Sequence, residues 1–128
     1  MSPLQKSLLS ACTGALAYGA WAYWVNMPDG NAMALRTGAV QGSFSFVITL
    51  TMTLMLEGLF RAFGRSMMAA AGTLAIVSAF LFCTAYALQW AAGSQAILMT
   101  IIPGYLIGTA YGGVYLWSLL RQQTGAST

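Results

Sequence analysis

The sequence predicts an all-α integral membrane protein, a single bundle of four transmembrane helices with both termini in the cytoplasm. Three observations predict it. Residues of the AVILMFWYC set make up 59% of the 128-residue chain and charged residues 5%, where a soluble domain is ~25% charged. The apolar residues gather into four segments, each near the ~20 residues that cross a bilayer as a helix, which satisfies its own backbone where lipid offers no partner. Finally, Lys6, Arg61, Arg65 and Arg121 fall on one side of the resulting arrangement and only Arg36 on the other, which by the positive-inside rule places both ends in the cytoplasm.

The spans follow in order. The first covers about residues 7–25, the second 38–60, the third 68–91 and the fourth 96–120. "LSAC" (residues 9–12) and "ALA" (15–17) mimic cleavage sites, but the five residues between Lys6 and Cys12 are too few for the ~7–15 of a signal-peptide apolar region, so the first span is read as an uncleaved helix. The connectors are short: "NMPDGNAMALRT" contains a Pro-Asp-Gly turn, "RAFGRS" two arginines around a glycine, and "AGSQ" barely reverses direction. Sequential helices are therefore expected to be antiparallel neighbours in one domain spanning residues 1–128. Trp21, Tyr23, Trp24 and Trp90 mark the outer interface, Tyr115 and Trp117 the inner one.

Composition also excludes functions. Histidine is absent, which removes bis-His haem ligation, imidazole acid–base chemistry and most zinc sites. Cys12 and Cys83 form no C-x-x-C pair and read as buried thiols. Met52 and Met55 read as gap-fillers, without the companions a copper site requires. The net charge of +3 includes no basic cluster, so nucleic acid is not an expected partner. No metal or cofactor is expected. Neither is an enzyme, because the spans provide one glutamate where hydrolysis or group transfer needs paired acids or an activated nucleophile.

The second span, "QGSFSFVITLTMTLMLEGLFR" (residues 41–61), carries Gln41, Ser45, Thr49, Thr53 and Glu57 at every fourth position. Each step of four drifts by ~40° on a helix of 3.6 residues per turn, so the ridge spirals and its ends lie ~160° apart. Ser45, Thr49 and Thr53 are expected to act mainly in packing, their hydroxyls bonded to carbonyls one turn earlier. Glu57 is the only acid in any span. It is expected either to pair with Arg61, four residues on, or to bind a proton or a cationic headgroup.

Small residues repeat at the same spacing: Ser7, Ala11, Ala15 and Gly19 in the first helix, Gly38 and Gly42 in the second, and Gly104, Gly108 and Gly112 in the fourth. Such series let helix backbones approach closely, and the fourth helix, with two overlapping GxxxG units, carries the strongest version. Pro103 is expected to kink that helix by removing an N–H, a feature of transporters, where freed carbonyls line sites. Tyr105 and Tyr111 then offer hydroxyls to a ligand or neighbour.

These features together predict a small transporter or flippase for an amphiphilic or lipid-like molecule in a bacterial inner membrane. The site would use Glu57, Arg61, Gln41, Ser45, Thr49, Thr53, Tyr105 and Tyr111. Four helices enclose little volume, so the path is expected at a homo-oligomer interface. The alternative is a non-catalytic accessory subunit that anchors or stabilises a larger membrane complex, which the many small-residue faces would suit.

Overall fold

A computed structural model describes residues 1–126, with side chains described through residue 123. Among the described residues the fold is four α-helices: α1 (Pro3–Asn26), α2 (Asn31–Ala62), α3 (Met67–Ala92) and α4 (Ile97–Ala126), with a short 3-10 turn at Met27–Asp29. Ser2 caps α1 through a reciprocal capping box with Gln5. Ser66 caps α3 by accepting from the Ala69 amide, and Gly93 closes α3 in the left-handed conformation, where glycine avoids a Cβ clash.

Three helices, α2, α3 and α4, are long and apolar enough to cross a membrane. Helix α1 has 24 residues, ample length, yet falls short in apolarity. Its composition explains this: Gln5, Lys6, Ser7, Ser10 and Thr13 crowd its first half, and Ser7 and Ser10 border a cavity described below. Helix α2 is longer than expected, 32 residues, because the turn is confined to residues 27–30 and the Ala-Met-Ala-Leu-Arg segment beyond it consists of strong helix formers.

Helix α2 touches all three others, α1 packs chiefly on α2, and α4 chiefly on α3. The tightest contact is between α1 and α2. A Cβ built on Gly42 would lie 3.0 Å from the Ala15 carbonyl oxygen, one on Gly38 3.0 Å from that of Gly19, and one on Gly19 3.1 Å from that of Gly38. With Ala11 fully buried on the same face, the small series of α1 lies directly against that of α2. Within the chain, the glycine repeat of α4 makes no comparable approach to a backbone. Gly104, Gly108 and Gly112 face side chains of this chain, with Gln41 Nε2 3.5 Å, Leu81 Cδ1 3.4 Å and Leu74 Cδ1 3.4 Å from their respective Cβ positions.

The apolar core gathers Met52, Leu56 and Phe60 of α2 with Ala69, Ala70, Val77 and Leu81 of α3 and Leu116 of α4. The buried stripe of α2 runs through Ala34, Thr37, Gln41, Ser45, Met52, Leu56 and Phe60, a mean spacing closer to 3.6 than to four. A strict four-residue series must leave such a stripe, so Thr49, Thr53 and Glu57 stand beside the core, half-buried.

Candidate functional site

Where α1 and α4 face each other across α2 their contact is slight, and a cavity of about 490 Å³ opens between them, within the size range of small-molecule sites. Four of the five ridge residues, Gln41, Ser45, Thr49 and Thr53, line it. They span twelve residue steps along α2, a path of about 18 Å at 1.5 Å per step. Helix α1 contributes Ser7, Ser10, Gly14 and Tyr18, spaced as one helical face adjacent to the Ala11–Ala15–Gly19 face that packs on α2. Helix α4 contributes Gly104, Gly108, Tyr105 and Tyr111, and Leu81 and Ala85 of α3 line it as well. The glycines matter by omission: side chains there would point into the space between α4 and its neighbours.

The ridge hydroxyls behave differently from the packing account. Five threonines elsewhere bond back to their own helix, as Thr51 does to Val47 O at 2.9 Å and Thr13 to Leu9 O at 2.8 Å, while the buried hydroxyls of Thr73 and Thr109 have no partner. Among the described residues, Ser45, Thr49 and Thr53 make no such bond. Their hydroxyls border the cavity with donor and acceptor capacity unspent, which in lipid or a dry core would be costly. Gln41 is buried and accepts at Oε1 from Gln89 Nε2 at 3.2 Å. Gln89 also donates to Thr37 O at 3.2 Å, while its own Oε1 has no partner.

One end of the α1–α4 seam is clasped. Pro103 lies inside α4, which remains helical through it. Proline has no N–H for the carbonyl four residues earlier, that of Met99. Trp21 Nε1 donates to this oxygen at 2.8 Å, so the orphaned acceptor becomes a joint between α1 and α4. One turn further along α1, fully buried Asn26 donates to Thr100 Oγ1 at 2.9 Å and accepts from Ser94 Oγ at 2.7 Å. The other end of the seam has exposed Lys6, Ser7 and Ser10 at the cavity rim.

Glu57 and Arg61 lie apart from this cavity. They border a separate cleft of about 370 Å³ with Phe60, Arg65, Leu119, Gln122 and Gln123. Tyr115 donates to Glu57 Oε1, tying α2 to α4. Among the described residues Glu57 forms no ion pair with Arg61; the expected pairing is replaced by this hydroxyl contact. Nearby, Gly64 and Arg65 both have positive φ, +100° and +57°, and Gln123 Nε2 donates to the Arg65 carbonyl at 2.9 Å.

Sequence reasoning missed Asn26, Gln89, Thr100 and the α1 wall of the cavity. Asn26 and Gln89 were visible as amides at the ends of apolar runs, but nothing in the spacing says which carbonyl each meets. Comparisons with known protein families, curated proteins and solved structures find no match, so the functional reading stands on this geometry.

Proposed function

We propose that the protein is a small transporter or flippase-type protein for an amphiphilic or lipid-like molecule, non-enzymatic, with the α1–α4 cavity as its binding site. The observation that carries this reading is the convergence of Gln41, Ser45, Thr49 and Thr53, with free hydroxyls on the last three, on one cavity with apolar walls. A molecule with a polar head and an apolar body fits such a surface better than an ion or a sugar does.

In this reading all four helices span a bacterial inner membrane and both termini are cytoplasmic. Helix α1 spans despite its lower apolarity because Lys6, Ser7 and Ser10 line the cavity and Thr13 donates its hydroxyl to the Leu9 carbonyl. Lys6, Arg61, Arg65 and Arg121 mark the cytoplasmic end, where Arg121 lies 5.0 Å from the Trp117 ring centroid, an interfacial anchoring pair. The cavity is formed within one chain, so in an oligomer each copy would carry its own. The clasped end, at Trp21 and Asn26, faces outward and the Lys6 end faces the cytoplasm.

The test is translocation of a fluorescent single-chain amphiphile in vesicles containing the purified protein. Thr49→Val combined with Thr53→Val removes two hydroxyls at nearly constant volume and should slow translocation at unchanged abundance. If the wild type moves no amphiphile, the accessory-subunit reading is the better one.

A further inference from the structure

We infer that the ligand of the α1–α4 cavity is an amphiphile with an anionic headgroup, seated at Lys6 with its apolar chain along the cavity; this rests on the reading of the cavity as a binding site. The chain has only two acidic residues, Asp29 and Glu57, and neither lines the cavity. Asp29 lies in the 3-10 turn between α1 and α2, at the opposite end of α1 from Lys6. Glu57 borders the other cleft and is bound by Tyr115. Among the described residues Lys6 is the only charged one that lines the cavity, and its ammonium has no carboxylate partner there.

The sign of the site therefore differs from what Glu57 alone suggested. A cationic head entering at this rim would meet a like charge, with no carboxylate in the cavity lining to offset it. An anionic head would gain a charge-assisted hydrogen bond from Lys6, with Ser7, Ser10 and Thr53 supplying hydroxyls around it. Past the head, Phe44, Ile48, Leu81 and Ile107 border the space for an apolar chain.

Aromatic rings could in principle hold a quaternary ammonium by their faces. Here Tyr111 stacks on Tyr115, centroids 5.9 Å apart, and Tyr105 packs edge-on with Phe82 at 5.5 Å. Two of the three cavity tyrosines thus each have an aromatic partner on one side, and no carboxylate lines the cavity to help the remaining ring faces offset Lys6.

The experiment measures binding to the purified full chain in a neutral detergent. The probes are four single-chain amphiphiles of equal chain length, bearing a phosphate monoester, a carboxylate, a phosphocholine or a trimethylammonium head, with inorganic phosphate as a tail-free control. The two anionic probes should bind about tenfold more tightly than the trimethylammonium probe, in line with a hydrogen bond to a charged group. Lys6→Gln should erase most of that preference and Lys6→Glu should invert it. Arg61→Gln and Arg65→Gln, which remove cations outside the cavity, should leave the preference intact.

Equal binding of all four heads, or a preference untouched by Lys6→Gln, would overturn the anionic assignment while leaving the cavity as a site. A preference lost equally in Arg61→Gln would trace it to surface charge and also overturn it. Binding of inorganic phosphate as tight as that of the anionic amphiphiles would overturn the seating of a chain. Absence of binding by every probe, together with normal translocation by Gly108→Leu, would instead remove the cavity reading itself. Lys6 is exposed at the start of α1, so its variants report on binding without disturbing the core.

Discussion

Helix α1 presents two adjacent faces to the rest of the bundle, and they meet opposite fates. Ala11, Ala15 and Gly19 lie against α2 so closely that Gly38 and Gly42 cannot accept a Cβ without meeting a carbonyl at about contact minimum. Ser7, Ser10, Gly14 and Tyr18, one step around the same helix, face α4 across a cavity of about 490 Å³. Both faces are built from small and hydroxylated residues. Small residues permit close approach only where the opposing helix is also small; against the tyrosines of α4 they leave room. A small-residue repeat therefore defines either a seam or a void, and the partner decides which.

The strongest way to break this comparison is to fill the seam. Gly42→Leu places a side chain 3.0 Å from a backbone carbonyl, an atom that cannot swing aside. A destabilisation of about 3 kcal/mol or more is expected, at the upper end of overpacking costs. Folded yield and melting temperature in detergent check it; a normal melting curve would mean that α1 and α2 can separate without loss of the fold.

The next substitution acts on the clasp that ends the void. Asn26→Leu removes the bonds to Thr100 and Ser94 and leaves the Ser94 hydroxyl without its acceptor. A loss of about 1–2 kcal/mol is expected, since bonds across membrane helices are individually modest. Thr100→Val should cost less, and the two together less than their sum, because they share one bond. Strict additivity in the double variant would show that Asn26 and Thr100 do not act together.

Gly108→Leu sharpens the contrast with Gly42, since both are glycines within small-residue repeats. At Gly108 the nearest atom to a new Cβ is the tip of Leu81, at 3.4 Å, and beyond it lies the cavity. Stability should change by under about 1 kcal/mol, while amphiphile binding and translocation are lost. The fourth-helix repeat, taken alone, predicts the opposite order, a fold that fails at Gly108.

How much of this was legible in the residues follows from what a period can encode. The four-residue spacing of Gln41, Ser45, Thr49 and Thr53 marks a shared face, and these four residues do line one cavity. The spiral that separates Glu57 from Gln41 was also calculable, from 3.6 residues per turn. The identity of the facing helix was not. That Gly38 and Gly42 meet Ala15 and Gly19, whereas Gly108 meets Leu81, depends on contacts across the bundle that no local pattern carries. The same is true of Pro103: the loss of an N–H is written in the sequence, but the donation from Trp21, 78 residues distant in the chain, is not. Apolarity misled in one place. The lower hydropathy of α1 and its role as a cavity wall have one origin in Ser7 and Ser10, which the length of the span alone conceals.

The smallest expected effect on transport belongs to the residue that stands out most in the sequence. Glu57 sits beside the core, half-buried, and its partner is the Tyr115 hydroxyl of α4. Glu57→Gln keeps an oxygen acceptor at the same place, so the tie between α2 and α4 persists as a hydrogen bond, at a loss of about 1 kcal/mol at most. No carboxylate is needed in the cavity four residues away, and translocation should continue at wild-type rate. Tyr115→Phe, which removes the donor and leaves the acid without its hydroxyl partner, should cost somewhat more than Glu57→Gln. The measurement is translocation by Glu57→Gln at confirmed wild-type membrane abundance. Abolished transport there would move the site from the α1–α4 cavity to the arginine-lined cleft at the inner end, and would make the seam and void of α1 a matter of packing alone.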